Sequence, residues 1–172
     1  MTSVAAGTLT MNGDTIIAGM GELYVSSSPS AVLACIGLGS CIALFAYDPI
    51  ARIGGIVHIV LPRLDKTRQD GFAKYADTAV PLLIEEVIKV GAARKRLTFK
   101  MAGGAQMTIA PGLSNTFKMG DRNRLEVIAA LEREKMTLVS ADTGGSKGRT
   151  ASMYVENGRV FVKTVGGVAR EL

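Results

Sequence analysis

Three consecutive apolar runs between residues 31 and 61 constrain the fold more than any other feature of this sequence. The runs are AVLACI, CIALFAY and IGGIVHIVL, and turn-forming residues separate them. Short runs that are rich in β-branched residues and bounded by glycine, serine, aspartate or proline are typical of buried β-strands. They predict strands over residues 31–36, 41–47 and 53–61.

The rest of the chain adds further strands and two amphipathic helices. The predicted elements are a strand over residues 15–25, a helix over 75–90 that Asp77 caps and Gly91 ends, a strand over 97–102, a helix over 122–135 that Asp121 caps, a strand over 137–141, and a hairpin over 152–163 with a type I′ turn at Asn157 and Gly158. About seven strands against two helices predict an α+β fold with a mixed, mostly antiparallel sheet. We expect a flexible tail over residues 1–13 and one domain over residues 14–172.

Composition argues against several classes of function. The net charge of +5 is dispersed, and only 5% of residues are aromatic, so no nucleic-acid partner is expected. No run approaches the length of about 18 apolar residues that a membrane span needs, so no membrane insertion is expected. The N-terminus does not resemble a secretory signal, which predicts a cytoplasmic protein with reduced thiols. The cysteine spacing fits neither a zinc site nor a CxxC motif, and we expect no metal and no cofactor.

One cysteine and the only histidine face each other in the predicted hairpin. Residues 48–51 have the composition of a type I turn, which would pair Tyr47 with Arg52 and therefore Cys41 with His58. Directly opposed residues point to one face, with Cβ atoms about 4.5–5.5 Å apart, so the thiol and the imidazole could share a proton. The alternative is a structural pair, a buried cysteine beside a hydrogen-bonded core histidine.

The segment Gly37-Leu38-Gly39-Ser40 comes directly before Cys41. Glycines there allow a sharp turn and a close approach of substrate, and the backbone N–H groups around Gly39 and Ser40 could form an oxyanion hole. A plain turn between strands would use the same residue types. Together with the sole histidine, the segment predicts a nucleophilic pair in which imidazole lowers the pKa of the thiol and the thiolate attacks a carbonyl.

Several motifs, in this order along the chain, resemble the CheD family of chemoreceptor glutamine deamidases. They are GLGSC, YDP, IGGIVHIVLP, KYADTAVPLLIEEVIKVGA, KMAGGAQM, MGDRN and TGGSKGR, and the cysteine and histidine are seventeen residues apart as in the family. The resemblance implies a cytoplasmic protein-glutamine glutaminase that converts glutamines of methyl-accepting chemoreceptors to glutamate and releases ammonia. Members are also reported to hydrolyse receptor methyl esters, and some bind a CheC-type phosphatase. The implied fold is a sandwich of sheets flanked by helices, similar to the cytotoxic necrotizing factor deamidases.

The resemblance also implies roles for individual residues. Cys41 would be the nucleophile and His58 its base, with a third catalytic residue six positions before the cysteine. The family has threonine there, and this chain has Cys35, whose thiol is a weaker hydrogen-bond partner. Cys35 then orients His58 poorly, another side chain or a backbone carbonyl takes over, or activity is reduced. A weakly active or inactive binding partner that regulates a CheC-type phosphatase is therefore the alternative function. A general thiol protease has less support, since no residues indicate an extended cleft.

Two glycine loops and three methionines have weaker signals. Residues 102–107 and 143–149 do not have the spacing of a phosphate-binding loop, and turn formation explains them better than substrate contact. Met101, Met107 and Met119 could form an adaptable apolar surface for a receptor helix, or they could fill the core.

Overall fold

Two five-stranded sheets and two helices make up the computed structural model, which describes residues 14–65, 67, 71–107 and 118–172. In spatial order the first sheet contains β1 (Thr15–Ile17), β3 (Val32–Leu38), β8 (Arg149–Tyr154), β9 (Val160–Thr164) and β10 (Ala169–Glu171). The second sheet contains β2 (Leu23–Ser26), β5 (Ile53–Ile59), β4 (Ile42–Asp48), β6 (Thr98–Gly103) and β7 (Thr137–Thr143). The helices are α1 (Ala76–Val90) and α2 (Met119–Arg133), and short 3-10 helices span Phe72–Lys74 and Arg94–Arg96.

Alternating side chains of β4 and β5 build two separate cores. Ala43 and Phe45 pack between the two sheets, whereas Ile42 and Leu44 pack against α1 and α2 on the other face of the second sheet. Every residue of β4 and β5 is buried. Strands covered on both faces have continuous apolar sequences, which is why the three opening runs show no polar alternation.

The pairing of the strands confirms the predicted class. Six neighbouring pairs among the described strands are antiparallel, and the pairs β1–β3 and β6–β7 are parallel. The fold is therefore α+β, with mixed, mostly antiparallel sheets in a sandwich and helices on one side.

The prediction of one strand over residues 15–25 was wrong, because β1 and β2 belong to different sheets. The Ala18 N–H donates to Ala34 in the first sheet, and the Gly21 N–H donates to His58 in the second. Gly21 has a φ of 75°, a left-handed conformation that glycine adopts without strain. Residues 18–22 thus carry the chain from one sheet to the other; we call this segment the crossover.

The predicted register of the β4–β5 hairpin was wrong by two residues. Asp48 pairs with Ile53, and Ala43 pairs with His58, so Cys41 and His58 are not directly opposed. The Asp48 carboxylate accepts the N–H groups of residues 50 and 51 at 3.0 and 3.1 Å, which keeps Asp48 in the strand and moves the turn to residues 49–52. Because a shift of two residues preserves the side-chain face, Cys41 and His58 still lie on the face between the sheets.

The helix ends differ in detail from the prediction. Helix α1 begins after Tyr75 without a side-chain cap, and Asp77 lies in its first turn, where its carboxylate accepts the Leu64 N–H at 3.0 Å. Gly91 ends this helix as predicted. Helix α2 begins at Met119 without a side-chain cap, which places Asp121 in its first turn. Within the described ranges, no helix is long and apolar enough to cross a membrane.

The β8–β9 hairpin is present, but its turn is longer than predicted. The Tyr154 N–H donates to the Arg159 carbonyl, and four residues lie between these two. Gly158 has a φ of 70°, whereas Asn157 does not have the positive φ that a type I′ turn requires. The predicted tail over residues 1–13 lies outside the described residues.

Candidate active site

Both cysteines lie at the end of the sandwich where β3 leads into β4. Cys35 is completely buried in β3, opposite Ala151, and belongs to the core between the sheets. Cys41 is half-buried just before β4 and packs against the same core cluster. Both thiols are free. The two cysteines therefore come from different sheets and border one apolar cluster.

The imidazole of His58 is held by the crossover. His58 is only 5% exposed, and its Nδ1 lies 3.0 Å from the carbonyl oxygen of Ala18. A carbonyl can only accept, so Nδ1 carries the ring proton in this hydrogen bond and Nε2 of the neutral ring is the acceptor. The imidazole thus contacts a backbone carbonyl, which is the kind of group considered above as an alternative to Cys35. Sequence reasoning did not identify Ala18, because a backbone acceptor has no residue signature.

Burial determines the protonation of both thiols. Burial, and then the nearby Cys41 and Glu22, raises the pKa of the Cys35 thiol far above its usual range. Burial also raises the pKa of the Cys41 thiol, in the direction opposite to the lowering expected from the sequence. Both cysteines are therefore protonated at neutral pH, and the proton of Cys41 must be removed during any nucleophilic attack.

The loop of residues 39–41 is fixed by hydrogen bonds to all three of its carbonyl oxygens. The donors are the Ala105 N–H to Gly39 at 2.8 Å, the Asn123 Nδ2 to Ser40 at 2.9 Å, and the Gly104 N–H to Cys41 at 2.8 Å. The C=O and N–H of a trans peptide point in opposite directions. The N–H groups of Ser40 and Cys41 therefore point away from these donors, and neither has an acceptor within the described part of the chain.

The two glycine loops meet beside this loop. The Arg149 guanidinium donates to the carbonyls of Gly103 and Asp142, each at 2.8 Å, and the Gln106 N–H donates to Gly145 at 2.8 Å. These hydrogen bonds hold the two loops against each other.

The three methionines have different surroundings. Met101 is 1% exposed and fills the core beneath the helices. Met107 is 54% exposed, and its Cγ lies 3.2 Å from the position that a Cβ on Gly39 would occupy. Met119 is half-buried and lines a groove. One methionine is therefore core filling, and the other two border the site and the groove.

The groove lies between α2 and residues 61–65 and has a volume of about 620 Å³. Its walls are apolar at Leu61, Met119 and Leu125 and charged at Arg63 and Glu126, which form an ion pair at 2.7 Å. Residue 60, which directly follows β5, connects this groove to the strand that carries the histidine. Among the described residues, no three His, Cys, Asp or Glu side chains cluster closely enough to hold a metal ion.

Comparison with known proteins identifies the family. Residues 60–164 match the family model described as CheD chemotactic sensory transduction. The probable chemoreceptor glutamine deamidase CheD of Symbiobacterium thermophilum is 46% identical over 156 residues, which cover 90% of this chain and 94% of the relative. The chain belongs to the CheD family. This confirms the resemblance inferred from the motifs.

Other CheD relatives come from distant organisms. Proteins with the same name in Caldanaerobacter subterraneus and Archaeoglobus fulgidus are 44% and 40% identical, over 86% and 88% of this chain and 91% and 94% of theirs. Among solved structures, YlmD of Geobacillus stearothermophilus has a TM-score of 0.41 and 13% identity, covering 71% of this chain and 50% of that one. With so low a score, membership in the CheD family rests on the sequence matches.

Proposed function

We propose that this CheD protein deamidates glutamine side chains in the cytoplasmic domains of methyl-accepting chemoreceptors, leaving glutamate and releasing ammonia. It would act in the cytoplasm, as a protein-glutamine glutaminase with Cys41 as nucleophile. The observation that carries the proposal is the hydrogen bond from His58 to Ala18. It leaves Nε2 as the basic atom of a ring that shares the inter-sheet face with Cys41. The names of the relatives supply the substrate class.

The proposed reaction proceeds through a thioester. His58 Nε2 takes the proton of the Cys41 thiol as the sulfur attacks the amide carbon of the glutamine. The N–H groups of Ser40 and Cys41 stabilise the negative oxygen of the tetrahedral intermediate. The intermediate collapses as the imidazolium protonates the leaving nitrogen, and ammonia departs. Water, deprotonated by His58, then attacks the thioester and releases glutamate and the Cys41 thiol. A glutamyl methyl ester would form the same thioester with methanol as the leaving group.

Cys35 does not act as a second nucleophile in this scheme. It is completely buried, and its thiol is protonated at neutral pH because burial raises its pKa. Its S–H can donate one weak hydrogen bond, while the carbonyl of Ala18 orients the imidazole.

The test is ammonia release from a receptor cytoplasmic fragment, with glutamate formation located by mass spectrometry. Wild type should release ammonia, Cys41→Ala should release none, and His58→Ala should retain only a small residual rate. Cys41→Ser is the matched control, because it keeps the side-chain shape but supplies a much weaker nucleophile. Full activity of Cys41→Ala would refute the assignment.

The alternative is a weakly active binding partner that regulates a CheC-type phosphatase. It is favoured by Cys35 at the threonine position of the family and by the raised pKa of the Cys41 thiol. Wild-type protein that binds the phosphatase but releases no more ammonia than Cys41→Ala would establish this function instead.

A further inference from the structure

A single buried amide on α2 joins the loop of Cys41 to the strand of His58. Asn123 is completely buried, and its Nδ2 lies 2.9 Å from the carbonyl oxygen of Ser40 and 2.9 Å from that of Val60. Ser40 directly precedes Cys41, and Val60 follows His58 by two residues. One side chain from α2 therefore contacts both segments of the candidate active site.

The orientation of this amide is unambiguous. Both partners are carbonyl oxygens, which only accept, so the nitrogen of the amide must face them. Each of its two N–H groups donates a hydrogen bond to one carbonyl. The Oδ1 atom is then buried without a partner within the described part of the chain. An unpaired buried acceptor lowers the stability of a fold, so such a group calls for a reason to be retained.

The geometry of the peptide bond supplies that reason. The carbonyl of Ser40 and the N–H of Cys41 belong to one planar trans peptide and point in opposite directions. Asn123 fixes the carbonyl toward α2 and thereby fixes the direction of the Cys41 N–H, one of the two proposed oxyanion donors. Its second hydrogen bond, to the residue directly after β5, holds this strand relative to the same loop.

We propose that Asn123 is a positioning residue that aims the backbone N–H of Cys41 at the substrate oxygen and sets the spacing between the nucleophile loop and the His58 strand. The proposal rests on the function proposed above and assigns a role within it. It predicts that loss of the amide lowers kcat and leaves KM nearly unchanged, because an oxyanion donor acts mainly in the transition state.

The variants are Asn123→Asp, which keeps the shape and replaces the two donors by acceptors, and Asn123→Ala, which removes both groups. Asn123→Ser keeps one donor in a smaller side chain, and it is the variant to measure if Asn123→Asp and Asn123→Ala do not fold. Tyr47→Phe is the matched control, since the Tyr47 hydroxyl donates to the Val155 carbonyl at 3.0 Å in the core between the sheets. It also leaves a buried carbonyl without its side-chain donor.

Three measurements are made on each variant: thermal unfolding, kcat and KM for ammonia release, and labelling of Cys41. Labelling uses iodoacetamide, which carries an amide carbonyl, and methyl methanethiosulfonate, which carries none. At a temperature where all proteins are folded, kcat of the Asn123 variants should fall about ten- to a hundredfold. Iodoacetamide labelling should slow relative to methanethiosulfonate labelling. Tyr47→Phe should unfold at a lower temperature but keep the kcat and the labelling ratio of wild type.

A folded Asn123 variant with the kcat and labelling ratio of wild type would overturn the proposal and leave Asn123 a purely structural role. Failure of the proposed function looks different. In that case wild type would release no more ammonia than Cys41→Ala, and the labelling ratio of the Asn123 variants would still decide whether the amide aims the Cys41 N–H.

Discussion

Replacing Gly103 by alanine should damage the fold and the candidate site together. Gly103 ends β6 with a φ of 120°, and a Cβ built there would lie 2.1 Å from the carbonyl oxygen of Cys41. Real Cβ contacts essentially never fall below 3.0 Å, so the two atoms must separate by about 0.9 Å, the difference between these distances. The displaced group belongs to the candidate nucleophile.

The size of both effects follows from these values. An alanine at a φ that favours glycine costs about 1–3 kcal/mol. Weakening the hydrogen bond from Gly104 to the Cys41 carbonyl costs about 0.5–1.5 kcal/mol more. We therefore expect the free energy of unfolding of Gly103→Ala to drop by about 1.5–4.5 kcal/mol. A displacement near 1 Å at the reacting group should lower kcat by up to about a hundredfold.

Urea unfolding and ammonia release from a receptor fragment measure the two effects. Gly166→Ala is the control, because Gly166 has a φ of 78° but no atom lies within 4 Å of the added Cβ. It should show the conformational penalty and keep wild-type kcat. Gly103→Ala with stability and kcat equal to those of Gly166→Ala would refute the reasoning, since the contact with Cys41 would then have no consequence.

Three further predictions concern stability and the two thiols. Arg96 and three backbone N–H groups hold the pKa of the buried Asp48 carboxylate well below its usual range. The free energy of unfolding of wild type should therefore decrease as the pH falls below about 4, by up to about 1.4 kcal/mol per pH unit. Urea midpoints of wild type and Asp48→Asn should converge there, and a constant difference would contradict this. Cys41 should alkylate faster than the buried Cys35 at neutral pH. The alkylation rate of Cys41 should rise about tenfold per pH unit up to its raised pKa, because only the thiolate reacts. Equal labelling of both thiols would indicate a structural pair. Cys35→Thr should change the deamidation rate by less than about twofold, because Ala18 already orients His58; a gain near tenfold would show that the carbonyl is insufficient.

The central strands could be predicted because their burial on both faces appears directly as continuous apolar sequence. The shared face of Cys41 and His58 was also predictable, since an error of two residues in register leaves the face unchanged. The exact register was not, because it depends on which backbone groups the Asp48 carboxylate binds.

The contacts that complete the site could not be predicted in the same way. Residues 15–25 contain enough apolar positions for one strand, and only the competition between two sheet edges divides them. The carbonyl of Ala18 and the amide of Asn123 act across 40 and 63 residues of chain, to His58 and Val60 respectively. Neither contact has a local sequence pattern, because long-range packing alone brings the partners together.

The crossover and α2 also determine when the site can form during synthesis. The contacts of Ala18, His58 and Asn123 link segments far apart in the chain, and such non-local contacts form late because loop-closure entropy opposes them. A nascent chain that has emerged only as far as β6 already carries both cysteines and the histidine, but it lacks the amide that joins the Ser40 and Val60 carbonyls. The loop that carries Cys41 then lacks its hydrogen bond to α2, so the proposed deamidase site is complete only after the carboxyl-terminal half of the polypeptide has emerged.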